Sequence, residues 1–353
     1  VQAFSYSALP ARVIFGPGSL RQVGSEVEAL GAQRALVLCT PEQRTLAEQV
    51  SVLLGQRSAG IFDRAVMHVP IETAREAREL ASQLGADCAV AVGGGSTTGL
   101  GKAIALESGL PILAIPTTYA GSEMTPIYGI TEAGLKKTGK DPKVLPRTVL
   151  YDPELTVGLP LRMSVTSAIN AIAHAAEGLY AHDGNPIMSM MAEEGIAAIG
   201  RSLPRLVRDA SDLGARSDAL YGAWLCGMVL GHIGMALHHK LCHTLGGSFN
   251  LPHAETHTIV LPHALAYNAK ATPLAMARIA RALRSESGPQ AVYDLALHNG
   301  APVALRDIGM QERDLDKACD IAMQNQYPNP RPLERDALRQ LLQNAFEGAR
   351  PQL

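Results

Sequence analysis

A chain of 353 residues, 47% apolar and 18% charged, is long enough for two domains and has the composition of a folded protein, not a disordered one. Its formal net charge of −2 offers no electrostatic footprint for nucleic acid or an anionic membrane, so neither is expected as a partner. No apolar run reaches the length of a spanning helix, and Val1-Gln2-Ala3-Phe4 carries no charged-then-apolar leader pattern. Five scattered cysteines without CxxC spacing read as reduced core thiols in a cytoplasm.

Up to about residue 150, short β-rich runs alternate with amphipathic stretches. Arg34-Ala35-Leu36-Val37-Leu38-Cys39, Cys88-Ala89-Val90-Ala91-Val92 and Pro111-Ile112-Leu113-Ala114-Ile115 are near-continuous apolar runs, the pattern of strands buried on both faces. Pro70 to Leu80 reads as a helix between two of them. The alternation predicts an α/β domain over residues 1–160, a Rossmann-like parallel sheet with helices on both sides. Prolines between Tyr151 and Pro160 mark the junction. From residue 161 to 353, Ala, Leu, Met and Ile recur at helical spacing and strand-like runs become scarce, which predicts an all-helical domain. Ser164 and Asp212 are candidate helix-starting residues. A cleft between two such domains is a natural place for a ligand.

Two loops in the first half point to a dinucleotide. Gly93-Gly94-Gly95-Ser96-Thr97 follows an apolar strand and opens a helix. Its glycines let the backbone approach a pyrophosphate, and the helix start offers free N–H groups. Pro116-Thr117-Thr118-Tyr119-Ala120-Gly121-Ser122 also follows a buried strand and brings hydroxyls. Thr40 ends a strand where an acidic residue would select NAD through the ribose hydroxyls. No acid stands there, so NADH and NADPH both remain open. Cofactor candidates are Thr40, Gly93, Gly94, Gly95, Ser96, Thr97, Thr117, Thr118 and Tyr119.

The second half carries the chemistry. Asn170/His174, His239/His243 and His253/His257 are each four residues apart, so each pair shares a helix face, and seven of eleven histidines lie between His232 and His263. Imidazole suits both metal binding and proton transfer near neutral pH. Asn170 is the odd member. A divalent ion wants an anionic oxygen, and an amide is a poor substitute. The cluster reads as a metal site that has lost a ligand.

In this order, Phe15-Gly16-Pro17-Gly18, Gly93-Gly94-Gly95-Ser96, Pro116-Thr117-Thr118, Asp152-Pro153-Glu154-Leu155-Thr156 and the histidine segment ending at Leu251-Pro252-His253 make the chain resemble the iron-containing (group III) alcohol dehydrogenases nearly end to end. The resemblance implies an NAD(P)H-linked oxidoreductase that forms a homodimer. In metal-dependent relatives an Asp and three His hold the ion, at positions matching Asn170, His174, His239 and His253, and His243 matches a further active-site histidine. Gly99 likewise replaces an acid that usually follows the glycine loop. Residues 93–102, 118–123 and 238–243 are similar to a branch that reduces the carbon–carbon double bond of an unsaturated oxo-dicarboxylate in aromatic-compound catabolism.

That reaction can proceed without a metal. Hydride addition to a double bond conjugated to a ketone puts charge on the ketone oxygen as an enolate, which hydrogen-bond donors can stabilise while an imidazolium protonates the neighbouring carbon. His243 and His253 are the candidates for these two roles, in either order, with His174, His239 and Asn170 completing the polar wall and no metal expected. Lys240 and Ser122 are candidate contacts for the dicarboxylate. Two alternatives stay open at this level: a metal-dependent (Fe or Zn) alcohol dehydrogenase that tolerates Asn170, and a nucleotide-binding protein without turnover.

Overall fold

The computed structural model describes residues 4, 6–9, 11–133 and 135–352. Val1, Gln2 and Ala3, on which the leader reading rests, lie outside the described residues. The chain divides into two compact units, one from Ser7 to Leu159 and one from Pro160 onward that also takes in Phe4 and Tyr6. This differs from a division at 160 alone. The Tyr6 ring stacks on His232 with centroids 5.6 Å apart, a long-range contact that no local pattern announces.

The first unit runs β1 (Arg12–Phe15), α1 (Val23–Ala29), β2 (Ala35–Leu38), α2 (Arg44–Leu54), β3 (Ser58–Phe62), α3 (Ile71–Gln83), β4 (Cys88–Gly93), α4 (Gly95–Ser108), β5 (Ile112–Pro116), β6 (Ile127–Glu132), β7 (Leu135–Lys140) and β8 (Thr148–Tyr151). Six strands form a parallel sheet in the order β1-β8-β5-β4-β2-β3, and β6 and β7 pair antiparallel beside it. Alternate side chains of one strand feed two cores. Val37, Val90, Val92 and Ile115 pack with Val23 and Val27 of α1 and Val50 of α2. Leu36, Leu38 and Ala89 pack with Ala74, Ala77 and Ala81 of α3 and Leu100 and Ile104 of α4. Burial on both faces is why these runs show no polar alternation.

The chain reverses direction across the sheet between β2 and β4: β3 lies outside β2, whereas β5, β8 and β1 lie beyond β4. Such a switch point opens a crevice at the carboxyl ends of the two strands. Thr40 follows β2 and the glycine turn follows β4, so the fold sets both there. Asp152, after β8, accepts the N–H groups of Gly18 (3.1 Å), Leu20 (3.0 Å) and Glu154 (3.0 Å). This ties the Gly16-Pro17-Gly18 turn to the far end of the unit, with Gly18 at φ +73°.

The second unit consists of α5 (Leu161–Gly178), α6 (Pro186–Arg208), α7 (Leu213–His232), α8 (Leu237–Phe249), α9 (His253–Asn268), α10 (Pro273–Ala282), α11 (Gly288–His298), α12 (Leu315–Ala322) and α13 (Arg335–Glu347). No strand occurs among its described residues. Helix α5 is buried along nearly its whole length, and its alanines let α6, α7 and α9 close in around it. Leu237, Leu241 and Leu245 of α8 join Ile259 and Val260 of α9 and Leu338 and Leu342 of α13 in a further core. Asp212 caps α7 by accepting the Ala215 N–H at 3.0 Å. Ser164 does not start α5, which begins after Pro160. It lies one turn inside, bonds back to the Pro160 carbonyl at 3.1 Å and accepts from the buried Arg216 Nη1 at 2.7 Å. Serine's capping preference yields here to an arginine that needs an acceptor. No single helix among the described residues is long and apolar enough to cross a membrane.

Candidate functional site

In the α/β unit the glycine turn is packed as tightly as glycine permits. Gly93 sits at φ +151°, and a Cβ there would collide with Gln43 Oε1 and Thr97 Oγ1. A Cβ on Gly94 would meet Thr118 Cγ2 at 3.0 Å, whereas Gly95 is exposed with only Ala120 nearby. The second loop is held against the first: Thr117 N–H donates to the Gly93 carbonyl at 3.2 Å, and Gln43 Nε2 to Thr117 Oγ1 at 2.6 Å. Thr97 Oγ1, in the first turn of α4, is buried with no hydrogen-bond partner. An unpaired buried hydroxyl is costly unless a ligand meets it. A bare glycine turn, an orphaned hydroxyl and the free N–H groups of a 14-residue helix fit a dinucleotide's phosphates. Ser96 and Thr118 stay partly exposed beside them. Tyr119 does not: its ring is fully buried and its hydroxyl lies 3.5 Å from Thr156 Oγ1, so it packs the loop from behind.

Lys102 explains why that loop is fixed. Its buried Nζ donates to the carbonyls of Ser122 and Ile127 at 2.7 Å each and to Thr125 Oγ1 at 2.9 Å. Burial lowers its pKa to about 7, with the nearby Glu123 pulling upward. Glu123 in turn accepts the Tyr151 hydroxyl at 2.7 Å, and burial raises its carboxyl. Ser122 is thus gripped through both its carbonyl and its hydroxyl. Gly99 lies against Val69, whose Cγ2 would be 2.8 Å from any Cβ there, so an acid at this position needs Val69 to move.

In the helical unit the three pairs assemble. Asn170 and His174 are buried on α5, His239 and His243 lie on α8, and His253 opens α9 with His257 one turn on. Asn250, in the left-handed conformation at the end of α8, and Pro252 turn the chain so that α9 can present His253. Ring centroids of His174 and His239 are 5.3 Å apart, His239 and His243 6.1 Å, His239 and His257 5.0 Å, and His253 and His257 4.3 Å. His243 and His253 are exposed, whereas His174 and His239 form a buried back wall. Asn170 Oδ1, His174 Nδ1 and His239 Nε2 are buried atoms without a hydrogen-bond partner. Burial, then the neighbouring rings of His239, His253 and His243, pushes the His174 pKa well below the usual imidazole range.

Contacts outside the i,i+4 pairs complete the cluster. His238 and His257, both fully buried, hydrogen-bond through Nε2 and Nδ1 at 2.9 Å, with Cys242 Sγ 3.6 Å from His238. The Tyr327 hydroxyl meets His243 Nδ1 at 2.9 Å, and Lys240 Nζ sits 5.8 Å from the centroid of the Tyr327 ring. Lys240 thus lies over the tyrosine that meets His243, and is only partly buried. Glu177 accepts His239 Nδ1 at 2.7 Å. An acid three residues after His174 on one helix was the available signal for it.

The donor set suits a divalent ion poorly. The metal-ligand positions offer three imidazoles and an amide, with no carboxylate. Their nitrogens do not converge: among the described residues the trio with all donor atoms within 4.8 Å is His238, Cys242 and His257. Within that trio His238 Nε2 and His257 Nδ1 already bond to each other, while His257 Nε2 is buried without a partner.

Residues 10–153 match the family described as iron-containing alcohol dehydrogenase, and residues 164–346 its C-terminal counterpart, the Fe-containing alcohol dehydrogenase family. A maleylacetate reductase of Burkholderia cepacia is 65% identical over 351 residues, 99% of this chain and 100% of the relative. Another, from Pseudomonas sp. (strain P51), is 60% identical across 99% of both chains. The crystal structure of maleylacetate reductase from Agrobacterium tumefaciens superposes with a TM-score of 0.97 at 53% identity, covering 99% of this chain and 100% of that one.

Proposed function

The chain belongs to the iron-containing alcohol dehydrogenase family of oxidoreductases, and from there we propose that it reduces the carbon–carbon double bond of maleylacetate to give 3-oxoadipate, using NADH or NADPH and no catalytic metal. The observation that carries this reading is the set of five side chains, Asn170, His174, His239, His243 and His253, gathered on three helices with an amide where a metal site needs an anion.

The dinucleotide is held by Gly93, Gly94, Gly95, Ser96 and Thr97, with Thr40, Thr117 and Thr118 around it. When bound, the reduced nicotinamide supplies the hydride. Hydride addition at the carbon β to the ketone sends the electron pair to the ketone oxygen. His243 and His253, the two exposed rings, share the two remaining tasks: one hydrogen-bonds the enolate oxygen and the other delivers a proton to the adjacent carbon. The Tyr327 hydroxyl meets His243 at Nδ1 and fixes the ring's orientation. His174, kept neutral by burial, and Asn170 complete the wall. Lys240, in the same unit as the histidines, supplies a contact for a substrate carboxylate, whereas the Ser122 hydroxyl already serves Lys102.

The reading extends to a homodimer, and five buried, reduced thiols support a reducing compartment such as the cytoplasm. The place in metabolism is the catabolism of aromatic compounds. Mixing purified protein with maleylacetate and either reduced dinucleotide should consume equal amounts of both and yield 3-oxoadipate. Oxidation of simple alcohols without reduction of maleylacetate would instead favour a metal-dependent alcohol dehydrogenase. Dinucleotide binding without turnover would leave a binding protein.

A further inference from the structure

The helical site retains one carboxylate, and its surroundings assign it a task. Glu177 lies on α5 one turn beyond His174 and is fully buried. It accepts the backbone N–H groups of Ala236 at 2.8 Å and His238 at 2.7 Å, and the ring Nδ1 of His239 at 2.7 Å. The Tyr180 hydroxyl stands 3.4 Å away. The first N–H groups of a helix have no intrahelical acceptor, and α8 has no side-chain cap of its own. Glu177 therefore caps α8 from a neighbouring helix, where the favourable end of the helix dipole also meets its charge.

The same contact fixes a tautomer. With Glu177 ionised, the state that suits two backbone donors and a helix N-terminus, it can only accept, and the proton shared with His239 then belongs to Nδ1. Nε2 then carries the ring's lone pair. That nitrogen is buried and has no hydrogen-bond partner. With its lone pairs committed to these donors, Glu177 does not make good the missing carboxylate at Asn170.

We propose that Glu177 is the positioning residue of this site: it holds His239 with Nδ1 protonated and Nε2 turned to the reacting molecule, and it anchors the first turn of the helix that carries His243. What Nε2 meets rests on the reductase reading. The tautomer does not.

The test is Glu177→Gln with two readouts. A glutamine offers an amide N–H₂ where three donors converge, so one donor must lose its acceptor. The kcat on maleylacetate should fall roughly 10- to 100-fold, the usual loss for removing a group that orients an active-site imidazole. The NADH dissociation constant should stay within about twofold, because the glycine turn belongs to the other unit. In a His239→Ala background the same change should cost far less than it does alone. Nitrogen-15 spectra of the histidine side chains supply the second readout: wild-type His239 in its neutral form should show Nδ1 protonated. A wild-type His239 protonated on Nε2, or full multiplication of the two losses, would overturn the proposal. The wild-type spectrum decides even if the glutamine variant does not fold. Wild-type protein inert towards maleylacetate yet showing protonated Nδ1 would refute the reductase reading and leave the positioning role standing.

Discussion

Acidification should destabilise the helical unit through its deepest imidazoles. His174, His238 and His257 are buried, and burial, followed by mutual repulsion, holds each pKa well below that of a free imidazole, near 6.5. In the unfolded chain each regains that ordinary value. Below about pH 6.5 the unfolded state therefore binds more protons than the folded state, and stability falls as pH falls. Between about pH 8 and about pH 5 each histidine removes at most about 2 kcal/mol, and the three together at most about 6 kcal/mol. That is a large share of the roughly 5–15 kcal/mol that holds a typical domain folded. Taking about 2.1 cal/mol/K per residue for the unfolding entropy, a whole-chain transition should fall by several degrees, to a limit of about 8 °C. The chain's one tryptophan, Trp224 on α7, reports from the same unit, so its fluorescence melts read the effect directly. His257→Asn removes one titrating group and should lessen the acid-induced drop by about a third. Melts that stay level from about pH 8 to about pH 5 would show that the folded protein carries protons on these rings, and the neutral back wall would be wrong.

Three other substitutions probe separate parts of the site. His243→Ala should lower kcat on maleylacetate by roughly 10²- to 10⁴-fold, the range for losing a general acid, while dinucleotide affinity measured by fluorescence titration changes by less than about twofold. Equal loss of both would make His243 structural. Gly93→Ala forces a side chain into a left-handed turn against Gln43 and Thr97, so dinucleotide binding should weaken at least about tenfold by calorimetry, with Trp224 melts unchanged. Asn170→Asp returns an anionic oxygen to the ligand positions and should raise Zn²⁺ or Fe²⁺ affinity at least about tenfold in competition with a chelating dye. An unchanged affinity would mean that more than residue 170 keeps the ion out.

Local patterns made some of this legible in the sequence. Leu36, Val37 and Leu38 advertise a strand because both faces are buried, and Gly93 to Ser96 advertise a turn because nothing larger fits. Asn170/His174 and His239/His243 could be paired because a helix repeats every 3.6 residues, without knowledge of the fold. What stayed hidden depends on contacts across the chain. His238 and His257 meet from α8 and α9, and Tyr327 reaches His243 from 84 positions away. Neither relation has a spacing rule. Tyr119 follows a strand and carries a hydroxyl, yet whether its ring faces ligand or core is set by packing around Thr156. Ser164 has the right chemistry for a helix cap and was diverted by Arg216, a partner 52 positions on. Glu177 lay within reach of a helical reading, but its cap on α8 could be seen only once α5 and α8 were side by side.

The claim most open to direct attack is that imidazoles, an amide and a conjugated substrate suffice without an ion. Turnover of maleylacetate by protein stripped with a strong chelator, alongside elemental analysis of the same sample, tests it. Undiminished reduction at far less than one metal per chain is the result expected. Activity that vanishes with the metal and returns in proportion to added Fe²⁺ or Zn²⁺ would contradict it.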